Sequence, residues 1–304
     1  MTTTKVLPVK LSHHFTLILL SLLVLFSTQS MASPTAAEYG TVLNLSGKQR
    51  MLSQKMSKEV MLVALEVDKA ANIENLKNTA ALFDKTLKGL RSGDADLGLP
   101  ATSAKRILRQ LDKVDAIWAD FYPTIQAIVS SGSVTAEQVA TIAAKNLPLL
   151  KQMNKAVGAY EKDAAKNGLS KDPGLAATLN LSGKQRMLTQ KMSKEFLLVA
   201  YGHNVEENKL NLLETFTLFD RTLKGLVSGD EVLGLPGTSD ATIVAQLKVV
   251  EGLWQDFKPQ VSAASEAASS GVSSEQVSKI ASSNLPLLKE MNKAVGMYEA
   301  QAAK

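Results

Sequence analysis

The 304-residue chain has no cysteine, so neither a disulfide framework nor a thiol nucleophile can be built from it. Histidine is nearly as scarce. Of three, His13 and His14 fall in an N-terminal leader, and only His203 lies beyond it. Histidine-based metal sites and Ser-His-Asp triads are therefore very hard to assemble. The chain is not expected to be an enzyme, to hold a metal or to need a cofactor. A surplus of one charge is missing too: with Lys5 and Lys10 of the leader set aside, 32 basic residues face 29 acidic ones. That balance is no nucleic-acid footprint. No run shows the strict polar–apolar alternation of a half-buried strand, which leaves an all-α reading.

The first thirty-odd residues read as a leader. Lys5 and Lys10 supply a positive start, "FTLILLSLLVLF" (Phe15 to Phe26) an apolar stretch, and "SMA" (Ser30 to Ala32) small residues where a signal peptidase reads. The stretch is short for a spanning helix, which needs about 20 apolar residues. Residues 1–32 are therefore expected to be a cleaved signal peptide that sends the protein to the periplasm, an uncleaved N-terminal anchor being the alternative.

The rest of the chain is one unit written twice. "SGKQRMLSQKMSKE" (Ser46 to Glu59) returns as "SGKQRMLTQKMSKE" (Ser182 to Glu195), changed only at Ser53/Thr189. Asn44 pairs with Asn180, Phe83 with Phe219 and Trp118 with Trp254 at an offset of 136. Near the end, "NLPLLKQMNKAVG" (Asn146 to Gly158) matches "NLPLLKEMNKAVG" (Asn284 to Gly296) at 138, so the second copy gains two residues between Pro259 and Val272. The expected domains are 33–168 and 174–304, joined by the glycine- and proline-bearing "NGLSKDPG". Each copy reads as four helices. In the first they run to about Ala71, over Ile73 to Ser92, from Thr102 or Ser103 past Trp118, and from Thr135 to near Lys166. "TAEQ" (Thr135 to Gln138) and "SSEQ" (Ser273 to Gln276) fit capping boxes. Short connections make neighbours antiparallel, giving two tandem up-down-up-down four-helix bundles.

On a helix the repeated stretch carries two stripes. Leu45, Gln49, Leu52, Met56, Val60 and Val63 should face the bundle's own core. Leu43, Gly47, Arg50, Gln54, Ser57 and Met61 recur at the 4-3 spacing of a coiled-coil seam, with Leu179, Gly183, Arg186, Gln190, Ser193 and Leu197 in the second copy. Each glycine costs a helix roughly 1 kcal/mol relative to Ala, which makes sense if another backbone or a small ligand comes close. If the two stripes face each other, within the chain or in a homodimer, Arg50 approaches Arg186. No acid stands within four residues of either, so a bound anion must neutralise them, or carboxylates elsewhere in each bundle, Asp84 and Asp220 foremost. Gln49 and Gln54, with their copies Gln185 and Gln190, are candidate polar contacts or members of a buried network. Lys48, Lys55 and Lys58 read as a solvated face, Trp118, Phe83 and Phe121 as core, Asn154 as a helix-packing residue, and His203 as a loop residue.

"SGKQRMLSQKMSKE" in an exported helix, followed by "NLPLLKQMNKAVGAYE", resembles the PilJ-type sensory domain of type IV pilus chemotaxis transducers, which is similar to the sensor region of the nitrate/nitrite kinase NarX. The resemblance covers both copies. It implies four-helix sensor bundles in which a helix 1 arginine from each of two subunits contacts one anion. By position that role falls on Arg50 and Arg186, with Gly47 and Gly183 allowing close approach. The implied ligand is a small anion such as nitrate or nitrite. No second span, HAMP-like segment, kinase or methyl-accepting hairpin follows the second copy. The chain is therefore expected to hand its signal to a membrane-bound sensor kinase or chemotaxis transducer.

Overall fold

A computed structural model of the chain describes residues 1–3, 34–266 and 271–303. Beyond residues 1–3 the predicted leader, including Phe15 to Phe26 and the Ser30 to Ala32 motif, lies outside the described residues. Eight α-helices follow among them: α1 (Ala36–Ala64), α2 (Lys69–Ser92), α3 (Lys105–Ser131), α4 (Ala136–Lys166), α5 (Pro173–Tyr201), α6 (Val205–Ser228), α7 (Ala241–Ser265) and α8 (Ser274–Ala302). Four belong to each copy, so the chain forms two tandem four-helix bundles. No helix of the described residues is long and apolar enough to cross a membrane.

Local chemistry sets the helix ends. Both predicted capping boxes are formed, at Thr135 with Gln138 and at Ser273 with Gln276. A third, Thr35 with Glu38, starts α1. The first helix stops at Ala64 rather than near Ala71, because Glu66 and Asp68 take left-handed φ values of 57° and 41° and turn the chain into α2. His203 lies in the corresponding turn between α5 and α6. The "LGLP" segment departs from the all-helical expectation: β1 (Gly93–Asp94) and β2 (Leu99–Ala101) pair antiparallel in the first copy. In the second copy the same corner is a single bridge, Asp230 to Leu235. The two-residue insertion falls between α7 and α8, where 267–270 lie outside the described residues.

The cores repeat. Phe83 and Trp118 pack with ring centroids 4.4 Å apart, and Phe219 and Trp254 at 4.5 Å. Each indole N–H donates to an aspartate on the neighbouring helix, Trp118 to Asp84 at 3.1 Å and Trp254 to Asp220 at 2.9 Å. Those aspartates are thereby committed, together with Lys88 and with Lys224 and Lys258. They do not reach the arginines, so the within-bundle pairing with Asp84 and Asp220 is not what the protein uses.

The centre of the molecule belongs to α1 and α5. Each packs against helices of its own copy, α1 against α2 and α4, and α5 against α6, α7 and α8, and both pack against the other copy. From Ser46 to Val63 only Lys48 and Lys55 escape full burial, and from Ser182 to Val199 only Lys184 and Lys191. A helix buried all round is ordinarily apolar; these two are rich in polar groups. Lys58 is therefore not on a solvated face. It is 4 % exposed, as is Lys194.

Candidate functional site

The two central helices meet at their glycines. A Cβ on Gly47 would stand 3.8 Å from the Gly183 Cα, and a Cβ on Gly183 the same distance from the Gly47 Cα. Further along, Lys58 reaches Asn284, which is itself bonded to Ser193 of α5. Equivalent levels of the two helices are thus adjacent at both places, and the helices run parallel about a pseudo-two-fold axis. The seam stripes face each other within one chain.

Absence of side chains at the glycines makes room for both arginines. The Arg50 and Arg186 Nη2 atoms lie 3.3 and 3.6 Å from where a Gly47 Cβ would be, and 3.5 and 3.4 Å from the Gly183 equivalent. Both residues are buried, at 2 % and 3 % exposure. Each guanidinium crosses to the opposite copy with the fork formed by its terminal nitrogens. Arg50 donates from Nη1 to Asn180 Oδ1 and from Nη2 to the Asn180 carbonyl, both at 2.8 Å. Arg186 does the same to Asn44, at 2.7 and 2.9 Å. Asn154 and Asn292 sit at the edge of this layer, 3.4 Å from Arg50 Nη1 and 3.3 Å from Arg186 Nη1.

The compensating carboxylates stand one step back. Asn180 Nδ2 donates to Glu161 and Asn44 Nδ2 to Glu299, each at 2.5 Å. An asparagine therefore separates each guanidinium from its acid. Burial and the nearby Arg186 charge pull Arg50 down to about 9, against the attraction of Glu161. Burial pulls Arg186 down to about 10, against Glu299. A guanidinium starts so basic that both stay charged at neutral pH. Burial also raises the Glu161 carboxyl.

What remains unused is the other fork. Arg50 Nε and Arg186 Nε are buried donors without a hydrogen-bond partner among the described residues. In a guanidinium, the Nε–H and the second Nη2–H share one edge, a geometry that fits two oxygens of a carboxylate-like anion. An orphaned buried donor costs about 1–3 kcal/mol, more on a charged group. The layer thus offers two unfilled cationic forks beside two glycines.

Gln54 and Gln190 lie just beyond. Their Nε2 atoms donate to Ser53 Oγ and Thr189 Oγ1, and their buried Oε1 atoms have no hydrogen-bond partner among the described residues. Past them comes a second polar layer that sequence reasoning missed. Lys58 Nζ donates to Asn284 Oδ1 at 3.0 Å, and Lys194 Nζ to Asn146 Oδ1 at 3.1 Å, again across the copies. Each asparagine donates to a serine hydroxyl of its own bundle, Asn146 to Ser57 and Asn284 to Ser193, both at 2.7 Å. Burial pushes both lysines down to about 8, opposed by Glu59 and Glu195. Those glutamates are ion-paired with Lys55 and Lys191. Asn44, Asn180, Glu161, Glu299, Asn146 and Asn284 went unassigned in the sequence, although each falls in register between the copies.

The comparisons with known proteins agree with the repeat. The family described as the type IV pili methyl-accepting chemotaxis transducer N-terminal domain, PilJ, matches residues 34–144 and again 169–280. Over 247 residues the chain is 22 % identical to Protein PilJ of Pseudomonas aeruginosa, a match covering 79 % of this chain and 34 % of that one. It is 30 % identical over 91 residues to the methyl-accepting chemotaxis protein McpN of the same organism, covering 30 % of this chain and 17 % of the relative. The matched region is thus about a third of the length of the first relative and about a sixth of the second.

Proposed function

Because the chain belongs to the PilJ family of transducer sensory domains, and carries that domain twice, we propose that the seam between α1 and α5 is the sensing site. Its ligand is one small oxyanion of the nitrate or nitrite kind. Arg50 and Arg186 grip it through their free forks, Gly47 and Gly183 admit it, and Gln54 and Gln190 close the seam beside it. Residues 1–32 act as a signal peptide, and the bundles 33–168 and 174–304 work in the periplasm as an intramolecular pseudo-dimer. A membrane-bound chemotaxis transducer or sensor kinase reads the result. No catalytic role is part of this reading.

One observation carries it: two buried guanidiniums converge on the same pair of glycines, each with an unpartnered Nε–H. Like charges brought together out of water cost several kcal/mol per ion unless compensated, and here the acids are screened by asparagines. An anion between the forks would supply both the charge and the acceptors. The test is a thermal-shift screen against nitrate, nitrite, phosphate and small carboxylates. A ligand at a hundred times its dissociation constant adds about 2.7 kcal/mol. Arg50→Ala and Arg186→Ala should each abolish that gain. Without ligand each should cost no more than about 2 kcal/mol, since the asparagine oxygens left bare are offset by relief of the repulsion.

A second reading has its own support. Asn44 and Asn180 already satisfy one fork of each arginine across the copies, so the seam can hold the bundles together without any ligand. In that case the protein is a helical interaction protein of the cell envelope. A flat screen in which both arginine variants lose several kcal/mol would establish it over the sensing site.

A further inference from the structure

The outer face of the first copy carries a feature that its repeat lacks. Between α3 and α4 lies a cleft of about 310 Å³ lined by Arg106, Gln110, Lys155, Gly158, Ala159 and Lys162. Arg106, Lys155 and Lys162 are exposed, and none has a carboxylate within ion-pair distance among the described residues. The acids closest in sequence are engaged elsewhere: Glu161 turns inward to Asn180, and Asp163 accepts from Tyr39 at 2.8 Å. Gly158 is in a helix, yet a Cβ there would meet nothing within 4 Å. Its cost of about 1 kcal/mol relative to Ala is thus not explained by packing inside the protein.

The second copy keeps the frame and loses the charge. Gln110 Nε2 bridges to Gln152, and Gln246 bridges in the same way to Glu290. At the cation positions, however, Arg106 becomes Thr242 and Lys162 becomes Ala300. Lys293, which replaces Lys155, is paired with Glu290 at 2.8 Å. Gly296 holds the Gly158 position, so the glycine alone does not separate the copies; the three unpaired cations do. Exposed cations crowded around one hollow repel one another, and a multiply charged anion relieves all of them together.

We propose that this cleft of the first copy is a second anion site, on the surface, taking a phosphate-bearing group with two or more negative charges. A free phosphate compound and a phospholipid headgroup present the same chemistry. The Tyr39–Asp163 bond places the cleft's end of α4 beside the start of α1.

The experiment compares the full chain with an Arg106→Gln, Lys155→Gln, Lys162→Gln variant, whose changes are exposed and leave Arg50 and Arg186 in place. Pyrophosphate is titrated calorimetrically, and vesicles of phosphatidic acid, whose phosphomonoester can carry two charges, in phosphatidylcholine are co-sedimented, at low and at raised salt. The N-terminal segment is common to both proteins and cancels in the comparison. A pyrophosphate affinity at least tenfold weaker in the variant supports the site with a free phosphate compound as its ligand. A tenfold drop in vesicle partitioning, with pyrophosphate unbound by either protein, supports it with a lipid headgroup. A chain carrying Thr242→Arg, Glu290→Gln and Ala300→Lys should gain a second equivalent site in whichever assay responds. Equal behaviour of the full chain and the triple-glutamine variant in both assays, whether both bind or neither does, overturns the proposal.

Discussion

The two copies agree inside and disagree outside. In the seam, Arg50 and Arg186 make the same pair of bonds to Asn180 and Asn44, and the lengths match within 0.1 Å. On the outer helices the register is kept while the chemistry changes: Arg106, Arg109 and Lys113 of α3 stand where α7 has Thr242, Ala245 and Val249. The physical reason is the pseudo-two-fold axis. Each bond from one copy to the other, such as Arg50 to Asn180, recurs as its image, Arg186 to Asn44, so a change in one copy strands a buried group in the other. Outer positions meet water, where substitutions usually cost within about 0.5 kcal/mol.

That contrast breaks hardest in the lysine layer, where the copies are not quite equal. Asn284 Oδ1 accepts from both Lys58 and Gln190, whereas Gln54 makes no bond to Asn146. Asn284→Leu should destabilise the protein by about 3 kcal/mol or more, because it leaves the buried Lys58 ammonium without its acceptor. Asn146→Leu should cost about 1 kcal/mol less, the worth of one hydrogen bond. Denaturant unfolding measures both. Equal losses would mean that the inner symmetry is complete and the extra Gln190 bond counts for nothing.

The same lysines set an alkaline signature. Lys58 and Lys194 are held down to about 8 in the folded protein, below the ordinary 10.5. Between those values the unfolded chain binds more protons than the folded one, so stability rises with pH. Burial and, for Tyr39, its bond to Asp163 push Tyr39 and Tyr298 up to about 12. Above their ordinary 10 these tyrosines ionise first in the unfolded chain, and stability falls. Stability should climb between pH 8 and 9, with a slope of at most about 1.4 kcal/mol per pH unit per lysine, before Arg50 and Arg186, held down to about 9 and 10, add to the rise and the tyrosines oppose it. Lys58→Met or Lys194→Met should each remove about half the climb between pH 8 and 9. A profile that declines steadily from pH 8 would show the lysines to be hydrated after all.

How much of this the sequence disclosed depends on the range of the interaction. Helices, caps and the facing stripes follow from spacing within a few residues, and exact repetition announced the pairing of Arg50 with Arg186. The relay is not local: no acid lies within four residues of either arginine, and spacing favours Asp84 and Asp220 over the acids the seam uses. Glu161 and Glu299 lie on the fourth helix of each copy and act through an asparagine of the other. Lys58 read as solvated because a lysine on one helix does not reveal that four other helices surround it. The brief pairing of β1 with β2 was invisible for the opposite reason, being too short to alternate.

Gly47→Ala separates stability from ligand response at the crossing. A methyl group there would sit 3.3 Å from Arg50 Nη2, which is pinned by Asn180, and 3.6 Å from Arg186 Nη2. The helix gains roughly 1 kcal/mol from the replacement, and displacing a guanidinium returns a similar amount. Net stability without ligand should therefore change by less than about 1 kcal/mol, while the anion-induced shift disappears. Gly183→Ala should behave alike, given its mirror distances of 3.4 and 3.5 Å. An unchanged shift in both variants would place the anion elsewhere.

The smallest effect belongs to the single difference within the repeated fourteen residues. Ser53 Oγ donates to the Arg50 carbonyl and Thr189 Oγ1 to the Arg186 carbonyl, both at 2.8 Å. Each hydroxyl then accepts from the following glutamine, at 3.2 and 3.1 Å. Both residues are fully buried, so the Thr189 methyl occupies space that packing would ordinarily contest. If the seam is symmetric to the level of one methyl group, the first copy already has that space. Ser53→Thr should then alter stability by less than about 0.5 kcal/mol and leave the anion response intact. A loss above about 1 kcal/mol in thermal unfolding would show that the second copy had adjusted around Thr189, and that the inner faces have begun to diverge as the outer ones have.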